Sequence, residues 1–114
     1  MVEIEDSGFG SITINGKRYG HDVWVFSNGS VEKRKGGYHT FLATEVQVLL
    51  KGEPGIIVVG AGTASCVEIE REAKQLVQSK GVKIESAATP KAIERYNQLV
   101  SKGRKIAAAF HVTC

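Results

Sequence analysis

The 114-residue chain is 42% hydrophobic and 24% charged, with a formal net charge of +3, a balance that favours one globular domain over residues 1–114 and excludes a disordered chain. Basic and acidic residues are interspersed, which argues against a nucleic-acid partner, and no apolar run approaches the roughly 20 residues needed for membrane insertion. Two cysteines form neither a disulfide framework nor a Cys-rich zinc site, and the acidic N-terminus is unlike a signal peptide, so we expect a cytoplasmic protein in a reducing compartment.

The N-terminal third predicts antiparallel β-structure. Residues 11–14 alternate polar and apolar side chains, Asn15-Gly16 is the residue pair typical of a type I′ turn, and residues 17–19 form the returning strand. Residues 21–26 are rich in β-branched and aromatic side chains and predict a further strand. Residues 32–39 mix charge with glycine and have no useful period, which predicts a mobile loop.

The next segment predicts a short helix followed by a buried strand. Thr44 is placed to cap the helix, with Gln47 completing a capping box. Residues 56–59 are a continuous apolar run, which is typical of a strand covered on both faces. This strand opens directly into Gly60-Ala61-Gly62.

Two further helices and two strands complete the predicted order. Ser65 and Glu68 form a capping box that predicts the start of a helix whose apolar face includes Cys66, and residues 82–85 form a short strand after it. Thr89 as N-cap with Pro90 at the first helical position predicts the third helix. Cys66 falls in the first turn of the predicted helix, where the helix dipole lowers the pKa of a thiol, but its place on the apolar face favours an unpaired cysteine packed in the core.

The last ten residues predict a buried strand that runs to the end of the chain. Ile106, Ala108, Phe110, Val112 and Cys114 share one face by the period of two. Ala107, Ala109, His111 and Thr113 share the other. The small alanine side chains indicate that other elements pack closely on both faces. The predicted fold class is therefore α/β, with three layers and a mixed central sheet. It combines an N-terminal antiparallel β portion with a C-terminal βαβαβ, half-Rossmann-like unit.

The Gly60-Ala61-Gly62 loop is the first candidate site. A glycine loop between a buried strand and a helix can bind an anion or a nucleotide phosphate through backbone N–H groups. The alternative is a tight turn that needs glycine for geometry alone, because Ser65 stands where a dinucleotide fingerprint has its third glycine.

His111 is the second candidate. It is either a hydrogen-bonded core histidine or a ligand-binding group, with Thr113 on the same face and Cys114 beyond it. If the last strand runs parallel to residues 56–59, these side chains lie beside Gly60–Gly62 and Thr89 and form a ligand crevice. If it runs antiparallel, they do not converge, and the sequence leaves this direction open.

No catalytic residue is assigned from the sequence, and no cofactor is expected. Asp22, Cys66 and His111 are chemically suited to nucleophilic catalysis, but such a set is recognised by its geometry. The three histidines lack metal-ligand spacing, so no metal site is predicted.

Several motifs together resemble a known family. They are Phe9-Gly10-Ser11-Ile12, Gly16-Lys17, His21-Asp22-Val23, Ile57 to Gly62, Thr89-Pro90-Lys91-Ala92, Tyr96-Asn97 and Ala107 to Cys114. They are similar to a small domain family of unknown function. Its better-known members are a mitochondrial respiratory complex I assembly factor and an adipogenesis-associated protein, with archaeal and bacterial single-domain relatives.

The resemblance covers nearly the whole chain and implies a three-layer α/β domain with a mixed sheet, but no reaction. The residues that match its motifs are the candidate binding residues: Gly60, Gly62, Thr89, Tyr96, Asn97, His111, Thr113 and Cys114. The acidic N-terminus differs from the presequence of the mitochondrial member, so that protein's partner is not carried over.

Two hypotheses follow. The first is a non-enzymatic assembly or interaction module that exposes apolar residues on the β portion or near Gly36-Gly37. The second is a small-ligand binder or enzyme that uses the crevice near Gly60–Gly62, Thr89 and the C-terminal strand. The first is favoured because no coherent catalytic set is visible, and the sequence does not indicate an oligomeric state.

Overall fold

The computed structural model describes residues 2–114, and Asp6 through its backbone alone. The helices are α1 (Ala43–Leu49), α2 (Arg71–Ser79) and α3 (Thr89–Ser101), and a 3₁₀ turn, Leu50–Gly52, follows α1. The strands are β1 (Ile4–Gly8), β2 (Ser11–Ile14), β3 (Lys17–Tyr19), β4 (Val23–Val25), β5 (Val31–Lys33), β6 (Thr40–Phe41), β7 (Ile56–Ala61), β8 (Glu68–Ile69), β9 (Lys83–Ala87) and β10 (Ile106–His111). Within residues 2–114, no helix has the length and apolar character to span a bilayer.

A five-stranded sheet with the order β5-β4-β10-β7-β9 forms the middle of the fold. β10 runs parallel to β7, with Ile106 opposite Ile56 and His111 opposite Ala61, and β9 is parallel to β7 on its other side. β4 and β5 add antiparallel strands. The predicted mixed sheet with a βαβαβ unit is confirmed, and the direction of the last strand is now known.

Two apolar clusters separate the three layers. On one face of the sheet, Ile106, Ala108 and Phe110 pack with α3 and the three-stranded antiparallel sheet β1-β2-β3. On the other face, Ala107 and Ala109 pack with α1 and α2. The alternation predicted for β10 is therefore confirmed, and the alanines provide the close approach on both sides.

The predicted hairpin is also confirmed. β2 and β3 pair antiparallel across Asn15 and Gly16, which both have positive φ, at 50° and 81°. A type I′ turn needs this conformation at both central positions, and Asn-Gly supplies it at low cost.

The predicted caps of the first two helices are wrong. α1 begins after Leu42, whose backbone N–H donates to the Glu45 carboxylate at 3.0 Å, so Thr44 is not its cap. α2 begins only at Arg71. Between Ser65 and Arg71 the backbone instead forms β8, which pairs with β6. The N–H groups of Glu68 and Glu70 donate to the carbonyls of His39 and Phe41.

Three further boundaries differ from the prediction. Thr89 is the first residue of α3, not its N-cap, although Pro90 does lie in the first turn. β10 ends at His111, so the chain leaves the sheet before Cys114. The segment predicted as a mobile loop, residues 32–39, includes the last two residues of β5, and Arg34 within it is buried.

Candidate functional site: a buried charge network beneath an open cavity

The predicted crevice residues meet at one edge of the sheet. Because β7 and β10 are parallel, Gly60 lies opposite Phe110 in the register. The hydroxyl group of Thr89 donates to the His111 carbonyl at 2.7 Å and accepts the N–H of Gly62 at 2.8 Å. The structure thus brings Gly60, Gly62, Thr89 and the C-terminal residues together.

The chain itself fills the space between them. The N–H of Thr63 donates to the Thr113 carbonyl at 3.3 Å, and the N–H of Ala64 to the Cys114 carbonyl at 2.7 Å. The three successive donors from Gly62 onward are therefore already bonded to protein oxygens. A ligand anion would have to displace these bonds, whereas a phosphate-binding loop leaves such donors free.

The two glycines allow this close packing. A Cβ atom at Gly60 would lie 2.6 Å from the Phe110 ring, and one at Gly62 would lie 2.5 Å from the carbonyl oxygens of both Thr113 and Cys114. Gly62 also has a φ of +95°, which disfavours any side chain. Ligand binding at this crevice stays a prediction, and the described contacts favour the alternative of a turn that needs glycine.

Tyr96 and Asn97 support the core and β1. Tyr96 is 1% exposed and packs edge-on against Phe110, and burial raises its pKa to about 12. The Asn97 side chain donates to the Ile4 carbonyl at 2.8 Å and accepts the Ile4 N–H at 3.1 Å. These contacts hold β1 against α3.

Cys66 and Cys114 form a disulfide bond, with Cα atoms 6.1 Å apart. The prediction that Cys66 is an unpaired core residue on a helix is wrong, because it lies half-buried in the loop before β8. The bond fastens the end of the chain to the loop that follows Gly62. It also removes the argument for a reducing compartment that rested on unpaired cysteines.

A second group of polar residues was not assigned as a site from the sequence. Arg34, 8% exposed, uses all five of its N–H donors. Two of them form a bidentate pair with Glu45, at 2.6 and 3.0 Å. The others reach Asp22 and the carbonyls of Tyr38 and Thr40, each at 2.9 Å. Arg34 therefore fixes the segment between β5 and β6 and has no donor left for a ligand.

Glu45 is 1% exposed and fully bonded. Besides Arg34, its carboxylate accepts the indole N–H of Trp24 at 3.0 Å and the backbone N–H of Leu42. Burial opposes the charge on Arg34, but hydrogen bonds and attraction from Glu45 and Asp22 outweigh it and raise the pKa of Arg34 above its usual value. The guanidinium of Arg34 is therefore charged.

Asp22 connects this pair to the end of β10. Its Oδ2 atom lies 2.9 Å from Arg34 Nη1 and 2.7 Å from His111 Nδ1, and its Oδ1 accepts the Val112 N–H at 3.0 Å. The other ring nitrogen of His111, Nε2, lies 3.1 Å from Thr113 Oγ1. We call Glu45, Arg34, Asp22 and His111 the charge network, and Thr113 is its outer end.

The charge network borders an open cavity of about 340 Å³. It is lined by Gly10, Gly20, His21, Asp22, Lys33, Arg34, Gly36, Tyr38, Val112 and Thr113, and we call it the Thr113 cavity. Tyr38 is 60% exposed, and Phe9, next to Gly10, is 74% exposed. Among the described residues, these are the two most exposed large apolar side chains. Among residues 2–114, no cluster of three or more His, Cys, Asp or Glu side chains could hold a metal ion.

One sequence signal could have pointed to this network. A buried tryptophan usually finds an acceptor for its indole N–H, and Trp24 lies in the strand predicted for residues 21–26. Glu45, one position before the buried Val46, is the carboxylate that accepts it. The partners come from separate segments, so the sequence alone did not identify the pair.

Comparisons with known proteins agree on the fold. The sequence matches the family described as "Protein of unknown function (DUF498/DUF598)" over residues 4–111. The conserved hypothetical protein PH1505 from Pyrococcus horikoshii OT3 is 28% identical, with a TM-score of 0.89 over 98% of this chain and 99% of that one. MT938 is 31% identical, with a TM-score of 0.84 over the whole of both chains. A Mth938-like domain from Bordetella pertussis is 20% identical and shares the fold, with a TM-score of 0.77 over 96% of this chain and 85% of that one.

Proposed function

Since the chain belongs to the family described as protein of unknown function (DUF498/DUF598), we propose its role from its own surface: an assembly or interaction module that binds a partner protein over the Thr113 cavity. The observation that carries the proposal is the position of the two exposed aromatic residues. Tyr38 lines the cavity, and Phe9 precedes Gly10, which lines it too. Exposed aromatic groups beside a concavity are typical of protein-binding surfaces.

The support beneath this surface is rigid. Arg34 holds the Tyr38 carbonyl, and the N–H of Gly10 donates to the Val112 carbonyl at 2.7 Å. Both aromatic side chains are therefore presented from fixed backbone, which lowers the entropy cost of binding. Tyr38 also stacks on His39, with ring centroids 4.2 Å apart.

The charges at the rim indicate the chemistry of the partner. Lys33 lines the cavity, and Lys35 is exposed nearby in the chain. The donors of Arg34 are all used inside, so the lysines are the cations that remain for a partner. We expect a protein segment with one apolar side chain for the cavity and acidic residues beside it.

A comparison of bait proteins in native extract tests this role. Immobilised wild type, Phe9→Ser and Tyr38→Ser are compared with Glu72→Ser, an exposed position on α2. We expect a polypeptide that wild type and Glu72→Ser retain and that both aromatic variants lose. Equal retention by all four baits, or no specifically retained polypeptide, would contradict the proposal.

The ligand alternative has a test of its own. Native mass spectrometry of protein purified gently from its source would show a small-molecule mass excess that disappears on denaturation. A clean apo mass, or a mass raised by a second polypeptide, would favour the interaction role.

A further inference from the structure

Three side chains at the end of β10 form one hydrogen-bonded chain. Asp22 Oδ2 lies 2.7 Å from His111 Nδ1, and His111 Nε2 lies 3.1 Å from Thr113 Oγ1. An ionised carboxylate only accepts hydrogen bonds, so Nδ1 carries the ring proton, and in a neutral ring the Nε2 lone pair faces the Thr113 hydroxyl group. This is the order of groups by which a general base activates a hydroxyl nucleophile.

The charge around His111 suits it to receive a proton. Two carboxylates, Glu45 and Asp22, and one guanidinium, Arg34, leave one net negative charge in the network when the ring is neutral. Taking a proton from Thr113 would neutralise that charge. The ring is 1% exposed, so water screens this stabilisation little.

Asp22 is itself held in place from two sides. Arg34 binds Oδ2, and the Val112 N–H binds Oδ1. The carboxylate can thus keep His111 in the required tautomer, as a positioning residue. Thr113, in contrast, is half-buried and lines the Thr113 cavity, so a substrate can reach the hydroxyl group at the outer end.

We propose that Thr113 is the nucleophile of an acyl-transfer site that accepts small carboxylic esters or thioesters. The cavity of about 340 Å³ has room for a short acyl group and its carbonyl. Lys33 lines the same cavity and carries the positive charge that would stabilise a developing oxyanion. This inference goes beyond the proposed partner binding, because it rests on Thr113 and its hydrogen-bonded partners and not on the exposed aromatic side chains of Phe9 and Tyr38.

The acylation and deacylation of Thr113 need water as their only co-reactant. Thr113 Oγ1 attacks the acyl carbon while its proton moves to His111 Nε2. The bond to the leaving thiol or alcohol then breaks, and that group takes the proton from Nε2. Water, activated by the same nitrogen, attacks the acyl-threonine, and the carboxylic acid leaves as the threonine hydroxyl is restored.

The test uses p-nitrophenyl acetate with the intact, disulfide-bonded protein. We measure release of p-nitrophenolate and, by intact-mass and peptide analysis, transfer of one acetyl group to the C-terminal peptide. Thr113→Val keeps the shape of the side chain but removes the hydroxyl that would accept the acetyl group, so we expect acetylation of the C-terminal peptide to fall by about 100-fold or more. Thr113→Ser keeps a hydroxyl and should stay within about tenfold of wild type.

Thr44→Val is the matched control, because Thr44 is exposed on α1 away from the cavity. It should react like wild type, which shows that a Thr→Val replacement elsewhere does not lower labelling, while the labelling left in Thr113→Val reports the background acylation of lysines. Thermal melts establish that each variant is folded. If folded wild type is not acylated, or if Thr113→Val is acylated as fast as wild type, the proposal fails and the three side chains only satisfy a buried histidine. Loss of partner binding in the Tyr38→Ser bait would not affect either result.

Discussion

Replacing Arg34 by lysine tests the charge network most directly, because the change keeps the charge and removes only geometry. Arg34 donates five hydrogen bonds, two of them to Glu45. A lysine ammonium has three donors that radiate from one atom and cannot form a bidentate pair. At least two acceptors therefore lose their donor in a site where the Arg34 side chain is only 3% exposed.

The expected loss of stability in Arg34→Lys follows from those two lost hydrogen bonds. A hydrogen bond to a charged group contributes about 1.5–3 kcal/mol, and an acceptor left buried without water costs a similar amount. We expect Arg34→Lys to lower the free energy of unfolding by about 3–5 kcal/mol. Conservation of charge does not rescue it, because the Coulomb attraction depends on an ammonium reaching both Glu45 and Asp22 at once.

Urea denaturation, monitored by tryptophan fluorescence, measures this loss of stability, since Trp24 donates to Glu45 within the same network. With an m value of about 1–3 kcal/mol per molar, a loss of about 3 kcal/mol lowers the midpoint by about 1–3 M. Arg18→Lys, at an exposed position in β3, is the control and should stay within about 0.5 kcal/mol of wild type. An Arg34→Lys midpoint equal to that of the control would refute the reasoning.

Three further predictions test other contacts. Cys114→Ser opens the disulfide, which spans 48 residues, and should lower stability by up to about 4 kcal/mol in chemical denaturation; reductant should cause the same loss in wild type but not in the variant. Gly62→Ala should cost about 3 kcal/mol because of its φ of +95° and two carbonyl oxygens at 2.5 Å. Gly103→Ala, with a φ of +75° and open space around it, should cost only about 1 kcal/mol, and equal losses would contradict the packing argument. Burial raises the pKa of Tyr96 from 10.0 to about 12, so the native state favours the protonated phenol. The contribution of Tyr96 to the free energy of unfolding is complete below about pH 10, and up to about 3 kcal/mol of it is lost as the pH rises from 10 to 12. Tyr96→Phe should lack this part of the alkaline decline in stability.

Local patterns in the sequence predicted the elements that depend on local chemistry. The Asn15-Gly16 hairpin needs only positive φ at two adjacent residues, and the two faces of β10 need only alternation. The buried run that begins at Ile56 is likewise visible as continuous apolar sequence. These features were predicted because neighbouring residues determine them.

The predicted cap at Ser65 fails for a non-local reason. Ser65 and Glu68 form a good capping pattern in isolation, but Cys66 is bonded to Cys114 and the N–H of Glu68 donates to the His39 carbonyl. Both partners lie far along the chain. Tertiary bonds therefore outweighed the local helix signal, and α2 begins only where those bonds end.

The charge network depends on strand register, which the sequence does not encode locally. Val23 pairs with Phe110 on one side of β4 and with Lys33 on the other. One step further along both antiparallel ladders, Asp22 stands between His111 and Arg34. All three side chains then point to the face that α1 covers, where Glu45 lies.

A slip of one residue between β4 and β10 would turn Asp22 to the opposite, apolar face and leave Arg34 and His111 without their shared carboxylate. Of the two antiparallel pairings that determine this alignment, β4–β10 joins the N-terminal β portion to the βαβαβ unit, and β4–β5 lies within the N-terminal portion. Neither part contains the site alone, since Asp22 and Arg34 come from the first part and His111 and Thr113 from the second. The proposed partner binding and the proposed acylation therefore both depend on the junction between the two parts of the fold. Variants that alter this register should remove partner binding and acylation together.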